Sequence, residues 1–353
     1  MEEAISEILG AAVQAPSGGN SQPWQFRIRE STIELIALPE KDHPILNFRN
    51  RGTFVAHGAL LENLLIAASK FGYRGEIELF PGEDPNFVAR VNLIKAPPEE
   101  SPLHSAIFLR ATNRKSYKDH KLGLHDEQEL RSSIDQFGMV KVEFVTDSAQ
   151  LKTLGRALST SEIVMFENRT LHKLFFNELV WTTEEEKRKK CGLYLKTMEL
   201  ESPQQKALRL FRYWPIMSLC NKFGFARFIA ASNAKIYGSA SVMCGIIIEP
   251  KDENFVSAGR AMERLWLQAT KMGLSGHLIT GVPFFWQRIS SGEFPELASR
   301  HVAEVKKAYQ DLASVFRVGE NRLLAMVLRL GEADLPSARS SRLPPSIIGA
   351  SGR

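Results

Sequence analysis

The sequence predicts an α+β fold built twice within one chain, each half a sheet with helices packed against it. Three observations carry that prediction. The chain has 353 residues and 44% apolar content, enough for about two domain equivalents with buried cores. The stretch HGALLENLLIAASKFGYRG (57 to 75) aligns without gaps on AGRAMERLWLQATKMGLSG (258 to 276). The pairs Gly58/Gly259, Glu62/Glu263, Leu64/Leu265, Ala68/Ala269, Lys70/Lys271, Gly72/Gly273 and Gly75/Gly276 are identical in the two copies. Finally, alternating apolar stretches of strand length lie before and after each copy.

In chain order, MEEAISEILGAAVQA reads as an amphipathic helix that begins acidic, without the charged-then-apolar order of a signal peptide. The loop APSGGNSQPWQF (15 to 26) follows, rich in turn residues, and runs into WQFRIR. There Trp24, Phe26 and Ile28 alternate with Gln25, Arg27 and Arg29, and after a turn at EST comes IELIAL. A helix over 57 to 72 leads through a connection to a strand, VARVNLI (88 to 94). In the second half the equivalent strands are VKVEFVT (140 to 146) and MCGIIIEP (243 to 250). A helix over 258 to 273, another near 294 to 315 and the strand LLAMVLRLG (323 to 331) follow. Residues 150 to 237 are helix-rich and aromatic-rich, have no first-half counterpart and read as an insertion. The halves are set at 1 to 105 and 106 to 353, the insertion belonging to the second.

Lys plus Arg exceed Asp plus Glu by five, 45 against 40, a weak surplus spread along the chain, so no nucleic-acid partner is expected. KRKK at 187 to 190 follows EEE and reads as a solvated helix face. Cys191, Cys220 and Cys244 are far apart and form no CxxC pair, which argues against a disulfide framework or a zinc knuckle. The eight histidines show no ligand spacing, and His57 and His277 read as caps or surface residues at element ends. No metal site is expected. No apolar run reaches the ~18 residues of a membrane span, so no membrane partner is expected and a cytoplasmic location is the default. Neither a GxSxG serine nor a Walker A loop is present.

The opening loop suits a flat ligand: glycine lets backbone N–H and C=O groups come close, and Ser17, Asn20 and Gln22 offer donors and acceptors for a fused heterocycle. With Pro16, these residues closely resemble the Pro-Ser-x-x-Asn-x-Gln-Pro-Trp loop of the FMN-dependent nitroreductase superfamily. In that superfamily a flavin lies between two subunits that supply different parts of the site. The complementary parts occur here in the same chain. RATNR (110 to 114) resembles the phosphate motif through Arg110, Thr112 and Arg114, and paired guanidinium groups suit a phosphate dianion. GLSG (273 to 276) resembles the loop whose backbone faces flavin N5, which nominates Ser275 and Gly276. RSSRLPP (339 to 345) resembles the basic tail, which nominates Arg342 and, less directly, Arg339.

The first half has no Lys or Arg before Arg27, and the second half runs SIDQFGMVKVEF where a second loop would stand. The resemblance therefore implies one FMN per chain, bound between the halves of an internal pseudo-dimer that can act as a monomer. It extends to the duplicated, Acg-like branch over about 1 to 120 and 240 to 350. The implied activity is two-electron transfer through flavin N5, from a donor such as NAD(P)H to a small organic acceptor. No side chain is nominated as catalytic acid or base. The alternative is a non-catalytic FMN-binding or storage protein whose insertion seals the flavin, with Trp181, Tyr213 and Trp214 as candidate covering aromatics.

Overall fold

The structure, a computed structural model, describes residues 2–45, 47–293 and 297–349. Helix α1 (Glu2–Ala12) buries Ile5, Ile8 and Leu9, and the turn-rich segment after it delivers strand β1 (Trp24–Arg29). A tight turn joins β1 to β2 (Thr32–Ala37), and the long helix α2 (Arg51–Lys70) leads to β3 (Tyr73–Leu79) and β4 (Phe87–Lys95). Helices α3 (His104–Leu109) and α4 (Leu124–Ser132) precede β5 (Lys141–Val145). The insertion then comprises α5 (Ser148–Leu158), α6 (Thr160–Glu167), α7 (Arg169–Glu178), β6 (Leu179–Val180), α8 (Thr183–Lys189) and β7 (Leu193–Tyr194). It ends with α9 (Ser202–Phe211), α10 (Trp214–Asn221) and α11 (Phe225–Gly238). The chain closes with β8 (Val242–Ile248), α12 (Asp252–Lys271), β9 (Ser275–Ile279), α13 (Gly281–Ser290), α14 (Ser299–Val315), β10 (Leu323–Gly331) and β11 (Ile347–Ile348).

The sheet orders reveal the duplication. One sheet runs β11-β1-β2-β4-β3 and the other β5-β8-β10-β9. Replacing β1, β2, β3 and β4 by β5, β8, β9 and β10 converts the first order into the second, with α2 and α12 at the same place between strands. Where β1 and β2 are joined by a turn at Glu30 and Ser31, β5 and β8 are joined by the whole insertion. The insertion thus replaces a hairpin turn, which leaves both sheets intact.

The repeated glycines explain how the halves meet. A Cβ on Gly58 would lie 2.0 Å from the Val256 carbonyl oxygen, and one on Gly259 would lie 2.0 Å from that of Val55. Each half presents the same residue to the same partner, a pseudo-twofold crossing of α2 on α12 that only glycine permits. Glu62 in the crossing takes Arg264 at 2.7 Å and Arg260 at 3.1 Å, and its counterpart Glu263 takes Arg110 at 3.1 Å. One continuous apolar core, with Leu60, Leu64, Leu265 and Trp266 fully buried, runs through both helices and both sheets. Both helices stop at glycines with left-handed φ, +75° at Gly72 and +80° at Gly273, as their sequence positions imply.

Several expectations are corrected. Helices α2 and α12 each begin six residues earlier than the alignment suggested, because both run N-terminally past the repeated segment. His57 is therefore mid-helix and fully buried, its Nδ1 2.8 Å from the Thr53 carbonyl, and burial pushes its pKa down to about 4. His277 is buried in β9, where its Nδ1 accepts from Arg329 Nε at 3.2 Å. Neither is a surface cap. Residues 73 to 79 form a strand, not a connection, half-covered along its length and therefore carrying Arg74, Glu76 and Glu78. GLSG is not a free loop, since Ser275 and Gly276 begin β9. Helix α14 begins at Ser299; the 294 to 296 start proposed from sequence lies outside the described residues. The C-terminal tail crosses back to the first half, where β11 pairs parallel with β1.

Candidate functional site: a basic cavity opening on a larger one

The opening loop owes its shape to three left-handed residues within four positions: φ is +54° at Gly19, +58° at Asn20 and +52° at Gln22, with Ser21 right-handed between the last two. Ser17 Oγ accepts from Gln22 N at 3.0 Å and locks the loop internally. The insertion holds it from outside, because the Lys190 carbonyl after α8 accepts from Gln22 Nε2 at 2.7 Å. Gln22 is buried, and its Oε1 also accepts from Leu343 N at 2.8 Å, so it ties the C-terminal tail to the loop.

The RATNR segment is set against β9. Thr112 bridges to Gly276, Asn113 N donates to the Gly276 carbonyl at 2.9 Å, and Asn113 Nδ2 donates to Ser275 Oγ at 3.0 Å. Gly276 is glycine because a Cβ there would lie 2.2 Å from Trp266 Nε1. The buried Arg329 of β10 donates to the carbonyls of Asn113 at 3.1 Å and Lys115 at 2.9 Å, fixing the backbone on either side of Arg114.

Between loop, motif and tail lies a small cavity of about 90 Å³ whose walls include Ser17, Asn20, Thr112 and four arginines, Arg110, Arg114, Arg339 and Arg342. Arg110 is paired with Glu263 and lies 4.5 Å above the Trp266 ring. The other three make no ion pair among the described residues. They are held by carbonyls: Arg114 by Thr197 at 3.0 Å, Arg339 by Ile107 at 3.2 Å and Arg342 by Ala15 at 3.2 Å. Burial, then the charges of Arg110 and Arg339, push Arg342 down to about 9; burial and Arg110 push Arg339 down to about 10. Guanidinium groups so destabilised in their charged form call for an anion.

This cavity shares Pro16, Ser17, Gly19, Thr112 and Arg114 with a second one of about 420 Å³. Its walls come from both halves, with Val55 and Ala56 of α2 facing Met262 and Trp266 of α12, and the insertion adds Phe166 and Phe175. Three carboxyls reach it. Glu178 is pushed up to about 7, by burial first and then by the charge of Asp42. Burial also raises Asp42, although Thr53 Oγ1 donates to it at 2.7 Å, and raises Glu162, which accepts from Tyr237 Oη at 2.5 Å.

Of the residues nominated from sequence, Pro16, Ser17, Asn20, Arg110, Thr112, Arg114 and Arg342 are brought together around the small cavity. Gln22, Ser275 and Gly276 stand behind it and support the loop and the motif. Trp181, Tyr213 and Trp214 line neither cavity; the insertion's aromatic contribution is Phe166 and Phe175. Sequence reasoning missed Asp42, Glu162 and Glu178, whose only signal is acid placement in segments without a motif. A phosphorylated planar cofactor fits this arrangement: buried atoms without hydrogen-bond partners include Asn20 Oδ1 and Trp266 Nε1, both on residues lining the two cavities.

No protein-family model matches the chain. Among curated proteins it is similar to "Uncharacterized protein MT1398" of Mycobacterium tuberculosis, 21% identical over 347 residues, covering 96% of this chain and 47% of that protein. It is also similar to "Putative NAD(P)H nitroreductase MT3217" (27% identical, 33% of this chain, 34% of that protein) and "Putative NAD(P)H nitroreductase acg" (23% identical, 51% and 54%), both of the same organism. The chain spans about half the length, or less, of these relatives. Among solved structures, a nitroreductase with bound FMN from Desulfitobacterium hafniense is 12% identical with a TM-score of 0.38, covering 70% of this chain and 95% of that one. The NADPH:FMN oxidoreductase of Vibrio harveyi is 11% identical with a TM-score of 0.36, covering 69% and 74%. The doubled α+β frame thus accompanies a similarity, at 21–27% identity, to curated proteins of which two are named as putative NAD(P)H nitroreductases.

Proposed function

We propose that the chain binds one FMN between its two halves, as a member of the duplicated, Acg-like branch, and acts as an oxidoreductase on small organic molecules. The observation that carries this reading is the four-arginine cavity opening directly into a larger cavity walled by α2 of one half and α12 of the other. Arg110, Arg114 and Arg342 would hold the phosphate, with Thr112 and Ser17 as hydroxyl partners, and Asn20 would present its unpaired amide oxygen. Ser275 and Gly276 position the motif. Pro16 and Gly19 give the loop its close approach.

When bound, FMN supplies two-electron transfer, with NAD(P)H as the donor class suggested by the names of the relatives. The chain's own residues bind, orient and shield. Phe166 and Phe175 exclude water from the larger cavity, and Glu178 holds a proton on its carboxyl near neutral pH, which suits it to serve an acceptor as it is reduced. The alternative reading, a sealed flavin carrier, differs in having no reaction with a nucleotide.

An absorbance spectrum of the purified protein, followed by anaerobic addition of NADPH and then NADH, separates the two. Flavin bands at one FMN per chain, bleached by either nucleotide, are expected. Bands unmoved by both would favour the carrier, and no flavin even after reconstitution would end the cofactor assignment. Arg110→Ala combined with Arg114→Ala is expected to abolish flavin retention; full occupancy in that variant would refute the phosphate assignment.

A further inference from the structure

The outer side of the insertion is apolar and basic, and the proposed flavin chemistry makes no use of it. Ile216, Leu219 and Phe223 follow one another at intervals of three and four on and just past α10, an outward stripe with exposures of 39, 56 and 86%. Leu210, Tyr213 and Phe228 on the adjoining segments are 58, 49 and 70% exposed. The inner side of the same unit is satisfied, with Met217 and Ala226 buried against Phe166. Scattered apolar residues are ordinary on a surface, but six large ones within α9, α10, α11 and their short connections mark a contact site.

Charge identifies the contact. From Ser202 to Ile248 there is no Asp or Glu, while Lys206, Arg209, Arg212, Lys222, Arg227 and Lys235 all fall in this segment and are all exposed. Arg227 pairs with Glu304; the other five make no ion pair among the described residues. A second copy of this face would bring like charges together, which argues against self-association. An anionic lipid surface offers both complementary charge and an apolar layer beneath it.

We propose that the α9–α11 face docks peripherally on an anionic bilayer, with Phe223, Leu219 and Phe228 entering the headgroup boundary and Arg212 and Lys222 meeting lipid phosphates. No helix among the described residues is long and apolar enough to cross a membrane. The sequence-based expectation of no membrane partner rested on that lack of a span, which a surface contact does not need.

The test is co-sedimentation of the full chain with vesicles of phosphatidylcholine alone and of phosphatidylcholine with about 30% phosphatidylserine. At least tenfold tighter association with the anionic vesicles is expected, weakened severalfold by 0.5 M NaCl. The pair Leu219→Glu and Phe223→Glu, and separately the pair Arg212→Glu and Lys222→Glu, should each reduce it at least tenfold. All four positions are exposed, so melting temperature and flavin content should be retained. Equal binding to both vesicles, no binding to either, or a dimer in light scattering that the Leu219/Phe223 variant dissolves would overturn the proposal.

Discussion

Burial and the charges of Arg110 and Arg339 hold the Arg342 guanidinium down to about 9, so its protonation should be read out in ligand affinity. An anion in the cavity favours the charged form and raises the pKa of the bound state above that of the free state. Affinity for FMN should therefore stay level from pH 7 to about 9 and weaken as pH rises further, by up to tenfold per unit. Riboflavin, which lacks the phosphate, should show no such fall, and Arg342→Gln should remove it from FMN. Fluorescence titrations at pH 7, 9 and 10 make the comparison; parallel behaviour of the two flavins would sink the assignment. Glu178 works in the opposite sense. Its carboxyl is raised from 4.5 to about 7, so the folded protein keeps a proton that the unfolded chain has released, and stability declines as pH rises through that window. Glu178→Gln should recover about 2 kcal/mol at pH 7.5 and little at pH 4.5, allowing for partial exposure. Urea denaturation at both values checks this, and an equal effect at both would show that the carboxyl is not perturbed.

Helix crossing is the element on which the two halves depend. A side chain at Gly259 would have to displace the Val55 carbonyl, so Gly259→Leu should destabilise by about 2–4 kcal/mol, measured as a lowered urea midpoint. Gly10→Ala in α1, where an added Cβ meets nothing within 4 Å, should stabilise by about 0.5–1 kcal/mol. A loss at Gly259 no larger than a few tenths would mean that the helices can slide apart freely. These glycines also explain what could be read before the structure. A contact that tolerates a single residue type leaves the same letter at the same spacing in both halves, and Glu62 and Glu263 are kept by their arginines. Strand β3 left no such trace, because an edge strand with both faces half-wet carries Arg74, Glu76 and Glu78 rather than an apolar row. The seven residues around the small cavity were legible because close backbone approach and phosphate binding demand particular residue types. Glu162 and Glu178 were not, since an acid on an amphipathic helix looks solvated until tertiary packing turns it inward.

At the scale of the whole molecule, the pseudo-twofold axis creates two equivalent places, and among the described residues the loop, the basic motif and the tail gather at one of them. Between α1 and β1 the first half has the loop of residues 13 to 23; between α4 and β5 the second half has only 133 to 140, with none of the left-handed residues that shape the opening loop. The carboxylate equivalents diverge in the same way: Glu263 faces Arg110 at the basic cavity, whereas Glu62 is neutralised by Arg260 and Arg264. The insertion further breaks the symmetry, because Lys190 holds the opening loop and Phe166 and Phe175 wall the larger cavity on that side alone. Binding should therefore saturate at one FMN per chain, independent of protein concentration, since residues from both halves of one polypeptide line the two joined cavities. Equilibrium dialysis across a hundredfold range of concentration, with light scattering on the same samples, measures both quantities. Two FMN per chain would mean that the second place remains competent. Occupancy that rises only as chains associate would mean that the two halves do not complete the site by themselves.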